Sequence, residues 1–559
     1  MSLDMLNISG KSQLDRAFLL PNKILWQGDG VINGDHLLTT EVQQVYMAMP
    51  KLTKLTNVDG KKGAILLDFG SEIAGGIELL VGGVSDRDGV KLRVRFGESV
   101  SEAMTPIGEK DTTNEHAARD ITVLLPILSQ ELVGNTGYRF VYLELEEENT
   151  WIDFTTIRGV LRYRDIPYLG SFECNDELLN QIYKTCVYTV HLNMQELLWD
   201  GIKRDRMVWY GDMHPEMLVI RSVFGHNDVL DDSLRYAPFM NPLPQWPNLK
   251  TVYGYWYLLI LWDWYFHNGK KELVFELKEY WLGLLKQFME LIHIDREELL
   301  DQSEYRTGFM LDWQTSGTDA GKTGVYALLR LTLLASAKLC DLVGEKEQQE
   351  KCLEYADIVK KHVGNHHGKK STIAMLYLAD MMSDKEEVGA LLTNGNGRGL
   401  SPFMSYYILS AVAETVGMKA AQSMFREYYG AMLKVGATTF WEDFDLDWMR
   451  EGASIERVLE PGEYDILAEN GQFCYKGLRH SLCHGWSGGP AAFVAEQILG
   501  VQILEPGCKK VSVKPNLGDL AWVRGTYPTP YGVISVYAKQ ENGEMITEIE
   551  APEGVEIVQ

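Results

Sequence analysis

Cysteine is sparse and scattered in this chain. The seven residues stand at Cys174, Cys186, Cys340, Cys352, Cys474, Cys483 and Cys508, and none forms a CxxC pair. An odd, dispersed set argues against a disulfide framework and a zinc site, and the thiols are expected to be reduced and mostly buried. No run of about 18 apolar residues exists, so no membrane-spanning segment is expected. The opening MSLDMLNISG has neither the charged nor the apolar region of a secretory leader. A cytoplasmic location is therefore expected, although a chain trimmed of its leader would begin in the same way. Positive charge is also short. Lys and Arg number 53 against 78 Asp and Glu, for a net charge of −25 and a pI near 5.0. A phosphate backbone would be repelled by that field, so no nucleic-acid partner is expected. A neutral ligand such as a sugar stays open.

What is present is ordinary globular material, with 45% hydrophobic and 23% charged residues. At 559 residues it exceeds a single core and suggests about two to four domains. Residues 1–165 read as strands. AILLDF, GIELLVGGV, KLRVRFGE, DITVLLPIL, YRFVYLELE and DFTTIRGVLRY are short, apolar and punctuated by Gly, Asp and Asn. In KLRVRFGE, Leu92, Val94 and Phe96 alternate with Lys91, Arg93 and Arg95, as in a half-buried strand. A β-sandwich is expected.

From SFECNDELLNQIYKTCVYTV the period becomes helical, with Asn175 as the expected N-cap. Helix follows helix to residue 500, about ten to twelve in all, with Gly269 and Gly344 as stops. Short turns make antiparallel neighbours. No repeat of roughly 34–45 residues is visible, which favours a closed α/α barrel over a solenoid. Strands return over 501–559 as a small β-domain. The expected domains are thus 1–165, 166–500 and 501–559.

Three stretches can carry chemistry. DGIKRDRMVWYGDMHPE (residues 200–216) packs Asp200, Arg204, Asp205 and Asp212 around an apolar centre containing Trp209. An exposed charged loop is the plain alternative, but MVWYG suggests partial burial, and buried charges need partners. VGATTFWEDFD brings Trp441, Glu442, Asp443 and Asp445 and opens some 40 residues of irregular sequence, which in a compact domain is usually functional or disordered. His484 and Trp486 stand at the start of the last helix, where a lone histidine is more often structural. Eleven of the 14 tryptophans lie from Trp199 to Trp486, Trp256 and Trp313 among them. Core packing accounts for most. Aromatic rings with acids nearby also suit the apolar faces and hydroxyls of a sugar. Two carboxylates from distant parts of the chain are the minimum for glycoside hydrolysis, one protonated and one ionised.

These motifs resemble those of family 78 glycoside hydrolases, the α-L-rhamnosidases, over nearly the whole chain. LLDFGSEIAGGIELLVGG is similar to the β-sandwich before that family's catalytic domain. DGIKRDRMVWYGD is similar to its acidic motif, GATTFWE to its general-base segment and SLCHGW to its S-L-N-H segment. The resemblance implies an (α/α)6 barrel and an inverting exo-glycosidase that removes terminal α-L-rhamnosyl residues without a metal or cofactor. It places the general acid at Asp205 and the general base at Glu442. It places sugar contacts at Asp200, Arg204 and Asp212, with Trp209, Trp441 and His484 nearby. Trp256, Trp313 and Trp486 join this set as aromatic candidates. Two features depart from the pattern. The acid position is usually Glu, and VYGYWYLL carries Tyr253, Tyr255 and Trp256 where an acid is usual. The chain is also short for the family. The alternatives are a same-fold glycosidase for another deoxy sugar or a uronide, a non-catalytic sugar-binding homologue, and a phosphorylase.

Overall fold

The computed structural model describes residues 11–39, 45, 52–296, 298–449, 454–471 and 474–558. The opening MSLDMLNISG lies outside them, as do residues 450–453 and 472–473 of the irregular segment after Gly436. The chain folds as two units. One comprises Met1–Ile166, His191–Arg206 and Glu456–Glu463, and the other Pro167–Val190, Met207–Ile455 and Tyr464–Gln559.

The first unit holds the N-terminal strands, and residues 191–206 and 456–463, which sequence assigns to the helical domain, fall in it as well. Its strands are β1 (Asp15–Leu19), β2 (Lys23–Gln27), β3 (Val31–Ile32), β4 (Thr53–Thr56), β5 (Ala64–Val84), β6 (Val90–Gly97), β7 (Asp120–Leu125), β8 (Gln130–Leu145) and β9 (Trp151–Tyr163). They pair antiparallel in the order β3-β4-β9-β5-β8-β6-β7, with β1 added to β9 and β2 to β5. β5 changes partner along its length. Its start pairs with β2, and its second half, from Gly75, pairs with β9. A side chain at Gly75 would stand 2.0 Å from the Val160 carbonyl, so only glycine permits this crossing. Residues 64–67, AILL, are continuously apolar because both faces are covered, and the buried Asp68 that follows is bound by Arg139. Ile65 and Leu67 enter the main core with Leu79, Leu92, Val94 and Val141. Ala64 and Leu66 enter a second cluster with Phe140, Tyr142 and the short helix α1 (Val100–Met104). Leu92, Val94 and Phe96 are buried as the alternation predicts, but Arg95 is buried too. Its guanidinium lies 4.6 Å over the Tyr142 ring and 3.7 Å from Glu144, so this end of the polar face of β6 is covered by an aromatic ring and a carboxylate, while Lys91 at the other end stays exposed.

The second unit is helical. It contains α2 (Glu177–Asn193) as far as Val190, together with α3 (Met213–Val223), α4 (Asp228–Met240), α5 (Thr251–Asn268), α6 (Glu272–Glu276), α7 (Lys278–Glu290), α8 (Asp319–Val343), α9 (Lys346–Val359), α10 (Lys370–Leu378), α11 (Lys385–Thr393), α12 (Ser405–Thr415), α13 (Met418–Lys434) and α14 (Pro490–Phe493). Successive helices pack in pairs, among them α8 with α9 and α12 with α13. Gly269 and Gly344 end α5 and α8 in the left-handed conformation expected of helix stops. The cap of α2 differs by one residue from expectation. Asp176 accepts the N–H groups of Leu178 and Leu179, while Asn175 accepts those of Ala521 and Trp522.

Strand β10 (Ser171–Cys174), just before α2, pairs with the far end of the chain. Beyond the short β11 (Val501–Ile503) and β12 (Lys510–Val513) come β13 (Trp522–Thr529), β14 (Gly532–Glu541), β15 (Glu544–Glu550) and β16 (Glu556–Val558). One sheet runs β10-β13-β14-β15 and another β11-β12-β16. Six of the seven cysteines are buried. Among the described residues no helix is long and apolar enough to cross a membrane.

Candidate active site

The irregular segments that carry Glu442 and His484 are ordered by pairing with each other. Glu442 N–H donates to the Ser481 carbonyl (3.1 Å), and His484 N–H donates to the Phe440 carbonyl (3.0 Å). Thr439 Oγ1 donates to the Leu482 carbonyl (2.8 Å), and Trp486 Nε1 donates to the Glu442 carbonyl (3.1 Å). His480 Nε2 accepts the Asp443 N–H (2.9 Å). Backbone groups that a helix or sheet would satisfy are satisfied here across the two segments.

This pairing sets up a row of three buried side chains. His484 Nε2 lies 2.9 Å from Asp212 Oδ1, and His484 Nδ1 lies 4.0 Å from Glu442 Oε2. Asp212 stands at the mouth of α3 and caps none of its N–H groups, so its carboxylate is free to turn towards His484. The helix N-terminus still favours a negative charge there. Tyr253, in the first turn of α5, donates to Asp212 Oδ2 over 3.5 Å. Its ring approaches because residue 211 is glycine, where a Cβ would stand 2.8 Å from it. Burial holds the Asp212 carboxyl above its ordinary range, and the Glu442 charge adds to the rise, while His484 and Lys250 oppose it. Burial also pushes Asp443 up to about 7, reinforced by Glu442, Asp312 and Asp445.

Several buried polar atoms of this unit have no hydrogen-bond partner among the described residues. Trp209, Trp313 and Trp441 each bury an indole N–H, and Asp312 and Asp443 each bury a carboxylate oxygen, with none among the described residues. Such groups are costly unless something polar meets them, and hydroxyl groups both donate and accept. Lys250 lies 4.8 Å over the Trp209 ring and 4.9 Å over that of Tyr253.

The other expected residues take varied places. Trp256 is packed among His214, Phe403 and Tyr407, and Trp486 stacks on Phe403 at 4.6 Å. Asp200, Arg204 and Asp205 belong to the β-unit. Asp200 and Arg204 are buried, and an Arg204 Nη1 lies 3.3 Å from Asp205 Oδ1. Asp312 and Tyr253 were not singled out as ligands by sequence, although Asp312 precedes Trp313 much as acids follow Trp441. Among the described residues, one group gathers metal-type ligands, His226, Asp228 and Asp231, within 4.8 Å. Trp264 Nε1 already engages Asp231 (2.7 Å) and Asp228 is exposed, as in a solvated surface cluster.

The unit of paired helices thus carries a buried acid–imidazole–acid row. The family model described as bacterial alpha-L-rhamnosidase 6 hairpin glycosidase domain matches residues 167–498, and that of the bacterial alpha-L-rhamnosidase C-terminal domain matches residues 500–558. The chain belongs to this family, and its helical domain is the expected (α/α)6 barrel. It is 21% identical over 508 residues to an alpha-L-rhamnosidase of Formosa agariphila, covering 83% of this chain and 52% of the relative. The chain thus spans about half the length of that relative. Among solved structures, the GH78 family rhamnosidase of Bacillus sp. GL1 superposes with a TM-score of 0.73 at 20% identity, covering 94% of this chain and 55% of the other. A Klebsiella oxytoca rhamnosidase with rhamnose bound gives 0.66 at 18% identity, covering 87% and 96%.

Proposed function

We propose that this protein hydrolyses terminal α-L-rhamnosyl residues by an inverting, exo-acting mechanism. The observation that carries the reading is the buried Asp212–His484–Glu442 row, set among indole N–H groups and carboxylate oxygens without partners among the described residues. Sugar hydroxyls fit those unmet groups, and the rhamnosidase relatives support rhamnose as the sugar. Glu442 takes the role of general base. It removes a proton from water as the water oxygen bonds to the anomeric carbon and the glycosidic bond breaks. Asp205 takes the role of general acid and gives its proton to the departing oxygen. Asp200, Arg204 and Asp212 contact hydroxyls.

Glu442→Gln is expected to lower kcat on an aryl α-L-rhamnoside by about 10²–10⁴-fold while rhamnose binding stays measurable by calorimetry. Unchanged turnover would overturn the assignment. Proton NMR should detect β-L-rhamnose as the first product, and α-L-rhamnose appearing first would exclude inversion. An oligosaccharide should lose monosaccharide from its end only.

A uronide is the second reading. The Lys250 ammonium over Trp209 and Tyr253 suits a carboxylated sugar, and Tyr253 meets Asp212 in the segment that lacks the usual acid. Turnover of an aryl uronide in preference to the rhamnoside would favour it.

A further inference from the structure

Asp205 is held by a loop whose sequence announces no function. His116 Nδ1 lies 2.6 Å from the Asp205 backbone N and 2.9 Å from Asp205 Oδ1. Either tautomer therefore grips Asp205. A bare Nδ1 accepts the amide N–H, and a protonated Nδ1 donates to the carboxylate. His116, Asp205 and Arg206 all adopt left-handed backbone conformations, with φ of 68°, 53° and 57°. Each costs about 1–2 kcal/mol for a residue with a side chain, a strain that persists only where the surroundings enforce it.

The enforcement is visible on both sides. Asn114 Oδ1 accepts the N–H groups of Arg119 and Asp120 (2.8 and 3.0 Å), and Thr112 Oγ1 donates to the Pro106 carbonyl (2.7 Å). Arg119 is buried and meets Glu102 Oε1 at 3.2 Å. Lys203, two residues before Asp205, is also buried and meets the same oxygen at 2.9 Å. One carboxylate of α1 thus ties the His116 loop to the Asp205 segment.

We propose that His116 is a positioning residue for the general acid. It and Arg204 both engage Oδ1, which leaves Oδ2 as the oxygen that carries and delivers the proton. A donor one methylene shorter than Glu has less reach, and fixing its amide and one oxygen together removes the freedom that would otherwise misdirect it. This inference rests on the reading of Asp205 as proton donor.

A leaving-group series tests it. Acid assistance matters for a poor leaving group such as an alkoxide and little for 2,4-dinitrophenolate. His116→Ala is expected to lower kcat roughly 10–100-fold on an alkyl rhamnoside and less than about 3-fold on the dinitrophenyl rhamnoside, with KM nearly constant on both. His116→Gln, whose amide can still meet Asp205, should recover part of the loss, and it decides the matter if the alanine variant fails to fold. Asp205→Asn is the reference and should show the same pattern more strongly. If Asp205→Asn slows both substrates equally, or the wild type turns over neither, the reading of Asp205 falls and the proposal with it. If Asp205→Asn shows the pattern while the His116 variants slow both substrates alike or neither, only the role of His116 is overturned.

Discussion

Asp443 should make the helical unit less stable as pH rises, and Asp443→Asn should remove that dependence. The carboxyl is buried, one oxygen accepts the Phe444 N–H at 3.0 Å, and the other has no partner among the described residues. Its ionisation is displaced from 3.8 to about 7. Below about pH 4 the group is protonated whether the chain is folded or unfolded, so it imposes no penalty. Between about pH 4 and 7 only the unfolded chain ionises it, and folding stability falls by about 1.4 kcal/mol per pH unit. The full loss is about 4 kcal/mol and is complete above about pH 7. The unit holds roughly 370 residues, and an unfolding entropy of about 2 cal/mol/K per residue converts this to about 5 °C in Tm. Calorimetric Tm values of wild type and variant at steps from pH 4 to 8 give the test. An unmet amide in the variant adds an offset that does not change with pH. The Tm of the variant relative to wild type should climb by about 5 °C across the range and then level off. A difference that stays constant from pH 4 to 8 would refute the reasoning.

Two structural predictions accompany it. Arg139→Met leaves the fully buried Asp68, which Arg139 binds at 2.8 and 3.0 Å, to the exposed Lys23 at 3.4 Å, and should cost about 3 kcal/mol in chemical denaturation of the β-unit. Adding Asp68→Asn should recover much of that loss. Gly485→Ala would place its Cβ 1.5 Å from Glu216 Oε1 and should destabilise the protein by about 1–3 kcal/mol. A double-mutant cycle with Glu216→Ala should reveal positive coupling, and additivity would show that the clash is not the cause.

The parts legible in sequence were those with a short period or a residue that suits one backbone conformation. Gly269 and Gly344 ended helices because a left-handed stop favours glycine, and the alternation of Leu92, Val94 and Phe96 marked the inner face of β6. Arg95 shows the limit. Its burial depends on Tyr142 and Glu144 from β8, which no local pattern records. The break between α6 and α7 falls at Leu277, which carries no breaker signal. Within the site, Glu442 and His484 stood out through their motifs. Their meeting depends on pairing between two irregular segments about 40 residues apart, and that has no period to read. His116 was hidden for the same reason, since a loop residue far from Asp205 in sequence gives no sign of the contact.

Strand β10 has a consequence for biosynthesis. It leaves the ribosome before the helices, yet its hydrogen-bonding partner is β13, with Cys174 facing Val523. At about 5–20 residues per second, those roughly 350 intervening residues take about 20–70 s to make. Throughout that interval the nascent chain presents an unmatched strand edge, which can recruit a neighbouring chain. Expression of a fragment ending near residue 500 would make that temporary exposure permanent. Yield should then depend on chaperone supply and on the spacing of ribosomes along the message.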